Sequence, residues 1–172
     1  MARAYADFDQ FVAAHVDDLL RTAYLTAWDE AEAEDLVQEC LFKVARRWPR
    51  VRLMDQPRAY ARRILINLAT DGARERARRR VELDPPPPGA AERSVDPLAA
   101  LDTHVELVEA LRLLPPRQRA ALVLRYFHDL TESQAAEVLG CSPGTVKSNT
   151  SRGLARLREV SDLSLQPRST KT

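Results

Sequence analysis

The chain has 172 residues, 45% of them apolar and 6% aromatic, with 26 basic and 25 acidic side chains. That length suits one domain or two small ones, and an Ala-, Leu- and Arg-rich composition with five glycines favours helices. No stretch alternates as a strand would, no apolar run approaches membrane-spanning length, and the N-terminus MARAYADFDQF is not a signal peptide, so an all-α protein of the cytoplasm is expected.

A formal net charge of +1 conceals strong segregation. An N-terminal helix carries Phe8, Phe11, Leu19 and Leu20. Residues 29–39 then hold Asp29, Glu30, Glu32, Glu34, Asp35 and Glu39 with no base among them. Asp29 and Glu32 have the spacing of a capping box, and Pro49 is expected to end the following helix after Trp48. Leu36, Val37, Cys40, Val44 and Trp48 form its apolar stripe at three- and four-residue steps. Asp35, Gln38 and Glu39 project away from that stripe. Phe42 falls near the polar face. It is either an anchor for a protein partner or, the favoured reading, a side chain packed beneath the N-terminal helix.

A third helix is expected over 58–80, rich in arginine (Arg58, Arg62, Arg63, Arg74, Arg76, Arg78, Arg79, Arg80) against Asp71 and Glu75. Ala61, Ile64, Leu65 and Leu68 make its buried stripe. Arg63, Asn67, Thr70 and Arg74 line up on another side by the 100° helical step. Arginine clamps phosphate, Asn pairs with base edges, and Tyr60 can stack on an exposed base. A generic solvated basic helix would carry similar charges, so this row needs support from elsewhere in the chain. Next comes VELDPPPPGAAERSVDP (81–97), whose four consecutive prolines cannot continue a helix. It reads as a linker between helical blocks at 5–80 and 98–160, with a short tail over 161–172.

In the second block Leu101, Val105, Val108 and Leu111 define one amphipathic helix, stopped by Pro115 and Pro116, and RQRAALVLRYF gives another that is mostly buried. Thr131 and Gln134 have capping-box spacing for a third. Gly140 supplies the turn, Ser142 the cap of a fourth helix and Pro143 its first residue. Ala136, Gly140 and Val146 fall where a helix-turn-helix needs a small residue, a turn and a buried anchor. On the fourth helix Val146, Leu154 and Leu157 share the buried face, flanked by Thr150 and Gly153. Ser148, Ser151, Arg152 and Ala155 face outward, with Lys147 and Arg156 at the edges. Small and hydroxyl residues allow close approach to the major groove, Arg152 suits guanine or phosphate, and Lys147 and Arg156 suit phosphate. A plain helical hairpin with a basic outer face is the bland alternative.

Two quoted stretches carry a family resemblance. AEDLVQECLFKVARRW resembles region 2 of sigma-70-type RNA polymerase sigma factors. LPPRQRAALVLRYFHDLTESQAAEVLGCSPGTVKSNTSRGLARLR resembles their region 4. Their order, the hinge and the short chain are similar to the extracytoplasmic-function (ECF) group, and GTVKSNTSRGLARLR to its actinobacterial SigE-like members. The resemblance implies two small helical domains joined by the Pro-rich linker. The first would bind core RNA polymerase, at the β′ clamp helices, through Asp35, Gln38 and Glu39. It would also meet the −10 element through Tyr60, Arg63, Asn67 and Arg74, with a flipped base near the loop RLMDQP (52–57). The second would read the −35 element through Lys147, Ser148, Asn149, Ser151 and Arg152 and meet the β flap. The family further implies an anti-sigma partner. Asn149, Thr150 and Ser151 depart from the Arg-Leu-His that many ECF factors carry there, so a standard −35 sequence is not expected.

Other classes fit less of the chain. A stand-alone helix-turn-helix regulator explains the second block but neither the acidic helix nor the Arg-Asn-Thr-Arg row. A helical protein that binds polymerase without touching DNA predicts that Arg152 and Asn67 are dispensable. An enzyme would need convergent acid, base, nucleophile or metal ligands. His15, His104 and His128 are isolated, Cys40 and Cys141 lack metal or redox spacing, and no glycine-rich phosphate loop is present. No catalytic residue, metal or cofactor is expected.

Overall fold

The computed structural model describes residues 2–27, 29–83 and 110–165, and every regular element among them is helical. The first unit consists of α1 (Ala2–Ala27), α2 (Glu30–Arg46), a short turn of helix α3 (Trp48–Val51) and α4 (Pro57–Leu83). α1 lies against both α2 and α4, which also pack on each other. Leu19, Leu36, Val37, Cys40, Val44, Trp48, Val51, Ala61 and Leu65 lie in their shared core. The Trp48 ring meets Phe8 and Phe11 at centroid distances of 5.2 and 5.0 Å. Cys40 donates its thiol to the Ala61 carbonyl at 3.3 Å, and burial pushes that thiol up to about 12. It is a packing residue, not a reactive one.

α2 stops at Arg46, two residues before the expected end. Pro49 has no N–H to return to Ala45, so the chain turns at Arg47 and Pro49 serves at the start of α3. α4 continues three residues beyond 80, making 81–83 helical, and the rest of the expected linker lies outside the described residues.

The second unit holds α5 (Pro116–Leu122), a wide turn over Val123–Phe127, α6 (Glu132–Leu139) and α7 (Pro143–Leu165). The helix expected on Leu101, Val105 and Val108 lies outside the described residues, apart from its last turn near Ala110. RQRAALVLRYF is not uniformly α-helical. Its second half widens into a π-type turn closed by the His128 N–H on the Val123 carbonyl at 3.1 Å, five residues back. α7 extends to Leu165, so the expected tail begins as helix.

The two units touch. α4 packs against α5 and α6, while α1 reaches α5 and the π-type turn. Ile66 of α4 is fully buried among Ala120, Ala121, Leu124, Ala136 and Val146 of the second unit rather than in the core of its own.

Candidate polymerase and nucleic-acid interfaces

α2 is built to present its acids. The Asp29 carboxylate accepts the Glu32 N–H at 2.8 Å, which fixes the first turn. The apolar stripe then faces α1 and α4, leaving Asp35, Gln38 and Glu39 exposed. Glu39 pairs with Lys43 one turn on, at 3.0 Å. Phe42 does not pack beneath α1. It is 62% exposed, with the Arg46 guanidinium 5.9 Å from its ring centroid. Two residues past Cys40 is a rotation of about 200°, which places Phe42 opposite the core. An exposed aromatic thus stands beside the acids.

On α4, Ala61 and Leu65 are buried, while Ile64 and Leu68 pack against the first core, as the stripe predicts. Arg63 is exposed and Asn67 and Thr70 are half-buried; the Arg74 side chain is outside the described set. The Thr70 hydroxyl donates to the Ile66 and Asn67 carbonyls at 2.9 and 3.1 Å, so only its lone pairs are available to a ligand. Tyr60 leans on the first core, and its hydroxyl accepts from Arg47 Nη1 at 3.0 Å. With Arg47, Arg50, Val51 and Met54 it lines an open hollow of about 340 Å³ beside the 52–57 loop. Arg47 and Arg50 are positions that sequence reasoning missed.

The helix-turn-helix forms as the sequence predicts. Thr131 accepts the Gln134 N–H at 3.2 Å, and Gln134 Oε1 accepts the Thr131 N–H at 2.9 Å, completing the capping box. Gly140 adopts φ +62°, in the left-handed region, and ends α6. Ser142 accepts the Thr145 N–H at 3.2 Å and caps α7. Ala136 and Val146 are buried where the two helices cross. A Cβ on Gly153 would lie 2.9 Å from Leu122 Cδ1, so a side chain here would require Leu122 to shift where α7 meets α5. Lys147, Ser151 and Arg152 are exposed on the outer face; Ser148 and Asn149 are half-buried.

Asn67 and Thr70 on α4 and Asn149 on α7 line one crevice between the units, together with Asp71, Arg117, Leu139 and Cys141. At the other end of this seam the fully buried Thr22 meets His128, with Thr22 Oγ1 2.9 Å from Nε2. Thr22 already donates its proton to the Asp18 carbonyl at 2.7 Å, so Nε2–H is the donor to it. Burial, seconded by the Arg62 charge, pushes His128 down to about 4. His128 is therefore neutral at pH 7 and not an isolated surface histidine. Arg62 is only 8% exposed, and burial lowers its pKa. A signal for this seam existed in RILINLA (63–69), which is apolar on more than one side of a helix.

Among the described residues no group of His, Cys, Asp and Glu could hold a metal ion, and no helix is long and apolar enough to cross a membrane. Residues 11–79 match the family described as sigma-70 region 2, and residues 104–157 that described as sigma-70, region 4. RNA polymerase sigma-E factor of Streptomyces avermitilis is 36% identical, with 89% of this chain and 84% of that protein covered. ECF RNA polymerase sigma factor SigM of Mycobacterium tuberculosis is 31% identical over 89% of this chain and 76% of its own length. Among solved structures, the sigma factor RpoE from Bartonella quintana, crystallised in complex with the anti-sigma factor NepR, matches with a TM-score of 0.70. It is 27% identical, with 91% of this chain and 98% of that one covered. Two matched regions in the family's order, on a helical frame with a fully capped helix-turn-helix, establish that the chain belongs to the sigma-70 family of RNA polymerase sigma factors, in its extracytoplasmic-function group.

Proposed function

We propose that this sigma factor works through distinct surfaces for core polymerase, for the −10 strand and for the −35 element. The exposed acids of α2 (Asp35, Gln38, Glu39), with Phe42 as an apolar anchor beside them, seat the first unit on core polymerase at the β′ clamp helices. The second unit meets the β flap. An exposed aromatic at the centre of a polar face is the composition expected of a docking patch. Arg63, Asn67 and Arg74 follow the −10 strand. The hollow under Tyr60 takes a base out of the stack, its apolar floor against the ring and Arg47 and Arg50 toward phosphate. α7 enters the major groove at −35 with Lys147, Ser148, Asn149, Ser151 and Arg152. The capped, tightly crossed helix-turn-helix carries this reading, because it holds α7 rigidly with a small-residue face outward.

The chain has no chemistry of its own in this reading; RNA synthesis belongs to polymerase, and the work takes place in the cytoplasm where polymerase is found. An anti-sigma protein is the expected negative regulator, a partner of the kind that the solved relative carries. The test is multi-round transcription from mixed genomic fragments by sigma-free core polymerase, with and without the chain. Transcripts that require it, from starts sharing two spaced motifs, are the expected result. A chain that shifts duplex DNA alone and neither binds core nor starts transcripts would defeat the proposal in favour of a stand-alone regulator.

A further inference from the structure

We infer that α1 is a splint for the loop over 52–57: Asp7 and Asp18 hold Arg52 and Arg58 at its two ends, and so set the width of the Tyr60 hollow and its choice of base. The inference rests on the functional reading above, in which that hollow takes a −10 base. Asp7 and Asp18 are positioning residues and touch no DNA.

Asp7 Oδ2 lies 3.3 Å from Arg52 Nη1. Asp18 grips Arg58 with both oxygens, Oδ1 at 3.1 Å from Nη2 and Oδ2 accepting from Nε at 3.3 Å. From Asp7 to Asp18 the helix makes three turns and about 20°, so the two acids share a face about 16 Å apart. That rail cannot slide. Phe8, next to Asp7, and Phe11 meet the Trp48 ring of α3 at 5.2 and 5.0 Å, and Leu19, next to Asp18, is buried.

The hollow takes its walls from both sides of the loop. Arg47, Arg50 and Val51 precede it, Met54 lies in it, and Tyr60 follows it on α4. The separation of the loop's ends therefore decides how wide the hollow stands. Burial does little to fix this loop, since Leu53 and Met54 are 76% and 43% exposed. Turn hydrogen bonds shape its start, with the Leu53 N–H on the Arg50 carbonyl at 3.2 Å and the Met54 N–H on the Val51 carbonyl at 3.0 Å. Partly exposed ion pairs add little to global stability. They matter here because a surface loop opens locally, at a small fraction of the cost of unfolding the domain, so a few-fold bias is a large share of what holds it.

The test uses the full chain. Amide exchange of Leu53 and Met54 in the free protein reads the splint. Transcription by added core, from a promoter found in the experiment above and from its single-base −10 variants, reads the consequence. Asp7→Ala should speed exchange of both amides roughly two- to fivefold, the range an exposed ion pair gives, and weaken discrimination at one −10 position by a similar factor. Half-saturation with core should not move. Asp18→Ala should likewise speed exchange of the Tyr60 amide, which closes on the Gln56 carbonyl at 3.3 Å. Asp7→Arg combined with Arg52→Asp reverses the first pair and should recover both readouts.

Wild-type exchange in both alanine variants would overturn the splint. Faster exchange with wild-type discrimination would overturn its role in base choice. A reversed pair as defective as Arg52→Asp alone would assign Arg52 to DNA itself and overturn the pairing. A wild-type chain that directs no transcript, while Asp7→Ala still frees the loop, would overturn the functional reading and the base choice that depends on it, leaving a structural tie only.

Discussion

At the residue scale, chemistry and packing separate cleanly on α7. Lys147 and Arg152 are both exposed, but they differ in what they can recognise. A lysine is a point charge suited to phosphate, whereas arginine's fork can pair with a guanine edge. Lys147→Ala should therefore weaken promoter binding by the polymerase complex across all sequences and shallow its salt dependence by about one ion. Arg152→Ala should cost about 1–3 kcal/mol and relax preference at a single −35 position. Competition binding with single-base promoter variants at two salt concentrations separates the two; equal losses on every variant would show that Arg152 contacts only phosphate. Gly153 is a packing position. Ala there would regain about 1 kcal/mol of helix propensity against the crowding of Leu122, whereas Gly153→Val adds two methyls where a Cβ already meets Leu122 at 2.9 Å. Overpacking of that kind should destabilise the second unit by about 1–3 kcal/mol in urea unfolding.

At the scale of elements, the helix ends were the most legible part of the sequence. Thr131 with Gln134, Ser142 with Pro143, and Gly140 between them are local signals, and each is read from residues within four positions. Loss of the Thr131 acceptor in Thr131→Ala should cost about 1 kcal/mol, measured as a lower urea midpoint with unchanged slope. An unchanged midpoint would mean that packing of α6 alone fixes its start. Less legible were the end of α2 and the π-type turn. Pro49 acted two residues earlier than expected because the missing N–H belongs to a bond reaching four residues back. The widening over Val123–Phe127 has no local cue. Phe42 is exposed rather than packed beneath α1 because the helical step puts it opposite Cys40, and on this helix the period outweighs the general tendency of aromatics to be buried.

At the scale of the whole molecule, acid should loosen the association of the two units. His128 is held neutral in the seam at about 4, faced by Arg58 and Arg62 of α4 and by Asp18 and Thr22 of α1. Once the units part it should titrate near the ordinary value of about 6.5. Between those values the open form binds more protons than the closed one. The stability of the closed form is thus full above about 6.5 and falls as pH drops toward 4, by at most about 1.4 kcal/mol per unit. Scattering from the chain between pH 7 and pH 5 should show expansion that His128→Leu largely abolishes; the same expansion in that variant would assign it to other groups.

The sequence by itself determined the helical class, the capped helix-turn-helix and the exposed acids of α2, because caps and the 3.6-residue period are properties of neighbours along the chain. Both stretches that carried the family resemblance are of this local kind. The tertiary structure alone decided that Ile66 belongs to the second unit's core, that His128 closes on Thr22, and that Arg47 and Arg50 join Tyr60 around a hollow. Those facts depend on which helix faces meet. Periodicity shows that a face is apolar or charged, but burial is a relation between two surfaces, and only the packed chain supplies the second one.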